Sequence, residues 1–300
     1  MTALLAAEDA RLDARGGVLV EGLSFEAEGD RVALVGDASA LFSYFLGSAD
    51  LVRGSLRVLG EDARAAVAGG RASVSSPDVP LPESWTPVEY LRASAALSGL
   101  DRRSARRAAA ETLELAGLAT AGKLRIGTLG PFLRRALSFG AAAVGAPTVL
   151  AVDRPFTGLS PGESDRGCEV LEQLAAGRKL IVGLEEASAV GPAARLLATA
   201  TCVVVVFGGR LVSAASPADP FAPRSEYAVR VGERAEEFVR ILGERGIAVD
   251  PGGGAGARGE ARFVVHVPAG SGTREIVEAA VEAGAPLFEM VPAGGAPGRP

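Results

Sequence analysis

Apolar residues gather in three short unbroken runs in the second half of the chain, at 149–152, 180–184 and 202–207. Runs with so little alternation are what strands buried on both faces of a parallel sheet require. Helical spacing fills the intervals at 162–175 and 187–198, so this region is predicted to be a doubly wound α/β unit. Upstream, 18–27 and 31–35 read as strands separated by Glu28-Gly29-Asp30, which predicts a hairpin turn. Residues 40–45 form a short helical candidate, and 55–59 an extended piece bracketed by Gly54 and Gly60. A Pro- and Ser-rich loop, 74–87, leads into a helical region at 88–118 interrupted at Gly99, and a further helix, 132–144, follows Pro131.

Pro217, Pro220 and Pro223 mark a boundary. Beyond it the pattern changes to strand 227–231, helix 233–245, strand 247–249, a glycine-rich turn, strand 261–267, helix 273–283 and strand 287–291. A β-α-β-β-α-β order of this kind predicts a small ferredoxin-like α+β domain. The Gly/Pro-rich tail, 293–300, is expected to be disordered. With 300 residues and 48% apolar content the chain can fill two cores. The expected division is a domain at 1–219, with a helical subdomain at about 85–145, and an accessory domain at 220–292.

Charge and cysteine usage narrow the function classes. The net charge is −5, and the densest basic run, Arg102-Arg103-Ser104-Ala105-Arg106-Arg107, fits a solvated helix face, so no nucleic-acid footprint is expected. Cys168 and Cys202 stand apart, without a CxxC pair or a neighbouring histidine, which argues against a metal site or a disulfide framework and fits a reducing cytoplasm. The first seventeen residues carry acids where a signal peptide carries bases, so no targeting segment is expected. The most apolar stretch, 196–207, is shorter than the roughly 18–20 residues that span a bilayer, so membrane contact is expected only through a partner.

Five segments in order, GLSFEAEGDRVALVG, GSLRVLGED, PLPESWTPVEYL, TVLAVDRPFTGLSPGE and FGGRLVSAASPAD, resemble the successive landmarks of the ATP-binding subunit of an ABC exporter over residues 18–219. The resemblance implies a P-loop α/β fold with N-terminal antiparallel strands and a helical subdomain. The trailing domain is similar to the accessory domain that some exporter ATPases carry.

The same resemblance exposes departures. The family's phosphate loop has the form G-x-x-x-x-G-K-[ST], whose amides and lysine hold phosphates and whose hydroxyl holds magnesium. Here the strand runs into Gly36-Asp37-Ala38-Ser39-Ala40, a loop too short for that role, and the only two lysines, Lys123 and Lys179, lie far away in sequence. Asp37 places a negative charge where phosphate would sit. The family's Asp-Glu pair is Asp153-Arg154 here, and Arg154 is a permanent cation that cannot accept a proton from water. The signature Leu-Ser-Gly-Gly is Leu129-Gly130-Pro131-Phe132, in which Phe132 is expected to add bulk at the interface with a second subunit. Glu185 and Glu186 stand where the family places a γ-phosphate-sensing histidine, and the one histidine, His266, lies in a strand of the small domain. The loop glutamine expected near Ser76-Pro77 is missing, Ser160 replaces an aspartate, and no adenine-stacking aromatic stands near Ala14-Arg15.

These departures imply a pseudo-ATPase: a structural or regulatory subunit of an exporter, partnered by a membrane permease and, as a further candidate, by a second ATPase subunit, at the inner face of the cell membrane. No catalytic residue is expected. Gly36, Asp37, Ser39, Leu129, Gly130, Asp153, Arg154 and Glu185 are degenerate ATP-site positions, with ATP and magnesium binding lost and no metal held. Two other readings stay open, an active ATPase that binds nucleotide by a non-standard loop and powers export, and a binding module unrelated to transport. Arg154 is expected to pair with Asp37, Glu185 or Glu186 rather than with Asp153, because adjacent residues on an extended strand point to opposite faces.

Overall fold

The computed structural model describes residues 2–14, 16–186, 190–215, 226–251, 261–267 and 273–292. The chain divides into two compact units, Met1–Pro217 and Ala218–Pro300. The proline-rich boundary, the centre of the glycine-rich turn, Arg15 and the 293–300 tail lie outside the described residues.

The first unit holds two sheets. One is antiparallel, built from β1 (Leu5–Ala14), β2 (Gly17–Ala27), β4 (Asp50–Val58) and β5 (Glu61–Asp62) in the order β2-β1-β4-β5. The other contains β3 (Arg31–Gly36), β6 (Ala72–Ser75), β7 (Val149–Asp153), β8 (Lys179–Leu184), β9 (Cys202–Phe207) and β10 (Arg210–Ala215) in the order β10-β9-β3-β8-β7-β6. Its strands are parallel except for the edge strand β10, which folds back on β9. The three apolar runs are therefore neighbours of β3 or one strand removed from it, covered on both faces as their pattern requires.

One expectation fails here, and one strand was not foreseen. The stretch Glu28-Gly29-Asp30 is not a hairpin turn: β2 and β3 belong to different sheets, and the connection carries the chain from one layer to the other. Strand β1 has no counterpart among the predicted elements. Its pairing with β2 shifts register between Ala7 and Ala10, with Asp9 at φ 44°. Such a bulge breaks the period-two alternation by which a strand is recognised.

Alternation along each central strand feeds two cores. Val32 and Leu34 of β3, Val149 and Ala151 of β7 and Ile181 of β8 pack against α1 (Ser39–Phe45) and the antiparallel sheet. Ala33, Val35, Leu150, Val152, Leu180 and Val182 face the opposite side. There they meet helices α3 (Pro87–Leu97), α4 (Arg102–Leu115), α5 (Pro131–Ala143), α6 (Pro161–Leu174) and α7 (Gly191–Thr199), while the short α2 (Ala63–Ala68) joins the first core. Local sequence sets the helix starts. Thr86 and Glu89 form a capping box before α3, Asp101 caps α4, and Ser160 with Glu163 forms a second box before α6.

The second unit runs β11 (Glu226–Val231), α8 (Ala235–Glu244), β12 (Ala248–Pro251), β13 (Ala261–His266), α9 (Thr273–Ala283) and β14 (Leu287–Pro292). Its sheet order, β12-β13-β11-β14 with every pair antiparallel, is the ferredoxin-like arrangement, and Val229, Val231, Phe238, Leu242, Val265 and Ile276 form its core. His266 Nε2 lies 2.9 Å from the Asp250 carboxylate in that sheet.

Two tests follow. A Cβ built at Gly183 would lie 2.6 Å from Cε2 of the fully buried Phe42, so Gly183→Ala should cost about 1–3 kcal/mol in a urea titration. An unchanged midpoint would mean that α1 yields freely. Because the second unit has its own core, we propose that it is a domain and expect residues 218–300 alone to unfold cooperatively by circular dichroism. A gradual, sloping transition would refute that expectation.

Candidate functional site

The carboxyl ends of the parallel strands form one rim of the first unit, the edge at which open α/β sheets place their sites. At the end of β3, Gly36 has φ 90°, and any Cβ there would collide with the carbonyl oxygen of Val206 on β9. Asp37 and Ala38 alone separate Gly36 from α1. The Asp37 carboxylate accepts a hydrogen bond from the Gly208 amide at 2.6 Å.

Asp153 ends β7 with 2% exposure. It continues the face of Val149 and Ala151, which points it at α1, and the Ser39 hydroxyl donates to its Oδ1 at 2.9 Å. Ser75 is in register with Val152, so Ser76, one step beyond, is delivered to the same carboxylate and donates to Oδ2 at 3.2 Å. The third donor is Arg154 Nε, also 3.2 Å from Oδ2. Arg154 makes a further ion pair through Nη2 with Asp78, in the segment between β6 and α3.

This arrangement corrects the expected pairing of Arg154. Among the described residues its ion pairs are with Asp153 and Asp78, and not with Asp37, Glu185 or Glu186. The alternation rule does not reach it, because Arg154 has φ 43° and lies beyond the strand, with its amide donating to Gly183 O at 2.9 Å. A left-handed backbone at a non-glycine residue costs roughly 1–2 kcal/mol. It also returns the side chain to the face of the preceding residue. Burial works against the Arg154 charge, but Asp153 and Asp78 outweigh it and hold its pKa above the ordinary arginine value.

Gly36, Asp37, Ser39, Arg154 and Glu185 line one open cleft of about 640 Å³. Glu185 accepts from Thr157 Oγ1 at 3.2 Å. Leu129 instead lines a separate groove of about 470 Å³, with Ser76, Arg135 and Thr157, and Gly130 is the N-cap of α5. Phe132 does not face outward as expected. It is 6% exposed, its ring lies under the Arg166 guanidinium at 4.1 Å, and Pro131 takes the exposed first position of the helix.

Three participants escaped the sequence reading. Asp78 was one charge in a loop read only as Ser/Pro-rich, Thr157 stood inside the landmark TVLAVDRPFTGLSPGE with no role attached to it, and Arg135 carried no motif. The Arg135 Nη2 donates to Thr157 O at 2.8 Å, and burial, followed by repulsion from Arg154, depresses its pKa. Lys179 pairs with Asp30 at the opposite end of the sheet.

No family model matches the chain. The chain is 32% identical over 160 residues to the lipoprotein-releasing system ATP-binding protein LolD of Oleidesulfovibrio alaskensis, covering 49% of this chain and 69% of that protein. It is 36% identical over 110 residues to the doxorubicin resistance ATP-binding protein DrrA of Mycobacterium tuberculosis, covering 36% of this chain but 33% of that protein. It is 31% identical over 172 residues to the Nod factor export ATP-binding protein I of Burkholderia pseudomallei, covering 55% of this chain and 57% of that protein. Among solved structures, the ATP-binding subunit of an ABC transporter superposes with a TM-score of 0.59 at 20% identity, over 81% of this chain and 95% of that one. CbiO1 of Clostridium perfringens, part of the transporter complex CbiONQ, gives 0.61 at 18% identity, over 82% of this chain and 96% of that one. The two structures carry the fold, and the LolD match carries the kinship: this chain belongs to the family of ABC transporter ATP-binding subunits.

Proposed function

We propose that the chain is a catalytically degenerate ATP-binding-cassette subunit that acts as a structural or regulatory component of an ABC exporter. The observation that carries this reading is the Arg154 guanidinium seated on the Asp153 carboxylate, with Ser39 and Ser76 completing that carboxylate's hydrogen bonds. The family's ligand is ATP with magnesium, and the residues present do not fit it. A fixed cation beside Asp153 opposes a divalent ion at that oxygen. Helix α1 has seven residues and its N-cap, Ala38, offers no side-chain cap, while the preceding turn puts the Asp37 carboxylate in the cleft. Neither lysine reaches this rim in sequence or, for Lys179, in space.

Among the described residues no helix is long and apolar enough to cross a membrane, so association with a membrane would run through a permease partner. In this reading the cassette supplies a shaped surface to that permease, with a competent ATPase subunit as a further partner, at the inner face of the membrane. A second reading draws on one specific observation. The cleft beside Gly36 stays open at about 640 Å³, which is room for nucleotide entering by a non-standard route.

A calorimetric titration decides between them. With magnesium and ATP up to millimolar concentration we expect no heat of binding and a change in Tm of less than about 1 °C, since stabilisation grows only as the logarithm of ligand over Kd. Micromolar affinity would overturn the first reading and establish the second. Sedimentation velocity supplies an independent check, because ATP joins the two subunits in this family. The sedimentation coefficient should be the same with and without ATP, and a nucleotide-dependent shift from monomer to dimer would contradict the proposal.

A further inference from the structure

The segment that links β6 to α3 is held near its start by contacts centred on Ser76 and Asp78, and near its end by the Ile126 amide on Trp85 O and the Gly127 amide on Glu83 O. Ser76 is 2% exposed, donates to Asp153 and accepts from the Asp78 amide at 3.3 Å, and its carbonyl receives the Val79 amide at 3.3 Å. These bonds shape a turn from Ser76 to Val79. Besides the Ser76 bond to Asp153, the turn is fastened from outside by Arg154, which bonds Asp153 through Nε and Asp78 through Nη2. Arg154 thus spans the strand end and the segment with the two arms of a single planar group. Its left-handed backbone makes the geometry specific, because an extended residue at this position would send the guanidinium to the other face.

We propose that Arg154 is a built-in latch that holds the turn from Ser76 to Val79, at the head of the segment leading to α3, against the end of β7 without any bound ligand. The proposal does not rest on the loss of nucleotide binding, since it concerns only what the segment does in the free chain. Its physical logic follows from the exposure of the two ends. The Arg154 side chain is 22% exposed and Asp153 is 2% exposed, so that arm is protected, whereas Asp78 is 69% exposed and that arm is open to solvent and to salt. The latch therefore has a fixed end and a releasable end. When the releasable end opens, the turn loses its fastening at Asp78 while the Asp153 cluster, Ser76 included, stays formed. Arg135 lies close enough to Arg154 for the two charges to repel.

The full chain supplies its own reporter, because Trp85 is its only tryptophan, lies on this segment just ahead of the Thr86 cap and is 42% exposed. The experiment compares the parent with Asp78→Asn, Arg154→Gln and the double variant, by hydrogen exchange of amides 76–86 and acrylamide quenching of Trp85. Asp78→Asn removes only the exposed arm, so it tests the latch even where Arg154→Gln disturbs the buried carboxylate. Asp37→Asn, in the same cleft but outside the latch, is the control. Expected are an increase of about threefold or more in exchange of 76–86 and a steeper quenching slope in both single variants, unchanged exchange in β7 and β8 for Asp78→Asn, and no further increase in the double variant. Raising the salt concentration should move the parent towards the variants and leave Asp78→Asn unmoved. A change below about threefold in Asp78→Asn overturns the proposal, and so does an increase spread equally over β7 and β8 or shared by Asp37→Asn.

Discussion

A carboxylate with 2% exposure is costly unless its surroundings supply donors and charge, and Asp153 is where this chain meets that demand. Ser39 brings α1 to it, Ser76 brings the segment after β6, and Arg154 brings the chain leaving β7. Three elements far apart in sequence are thereby tied to one pair of oxygens. The end of β7, the start of α1 and the turn after β6 meet at this knot.

The knot is possible because the parallel sheet is filled on both sides. Strand β7 alternates Val149 and Ala151 towards α1 with Leu150 and Val152 towards the helices, and that alternation leaves Asp153 no choice of face. Across the register, Gly183 stands opposite Asp153 and lets the Phe42 ring pass close to the backbone. Apolar packing thus fixes the place of a polar cluster, and the cluster in turn fastens the segment leading to α3. Arg154 is bound to two carboxylates, and its guanidinium stays charged near neutral pH.

Much of the fold was legible in the chain itself. Unbroken apolar runs announced the parallel strands, helical spacing announced the helices at 88–118 and 132–144, and the order of elements after the proline-rich boundary announced the ferredoxin-like unit. These signals are local, since they arise from periodicity along the chain. Strand β1 was illegible because its bulge at Asp9 breaks the period on which recognition depends. The supposed hairpin at Gly29 was misread for a related reason. Two adjacent strands and a turn residue look the same whether the chain reverses within a sheet or crosses between sheets, and only the packing of α1 between the layers distinguishes them.

At the site, the residue types were written in the sequence: a two-residue turn after Gly36, no nearby lysine, and arginine following Asp153. Those identities determined which chemistry the rim is equipped for, because charge and proton capacity belong to the side chain wherever it is placed. Partnership was decided elsewhere. A single positive φ at Arg154 sent its guanidinium back to Asp153 and on to Asp78, and the pairing of β6 with β7 delivered Ser76 to the same carboxylate. Phe132 likewise turned inward beneath Arg166, although its neighbours in sequence marked it for the surface. Such choices depend on backbone angles and strand register, which tertiary packing sets and which no local pattern of residues encodes.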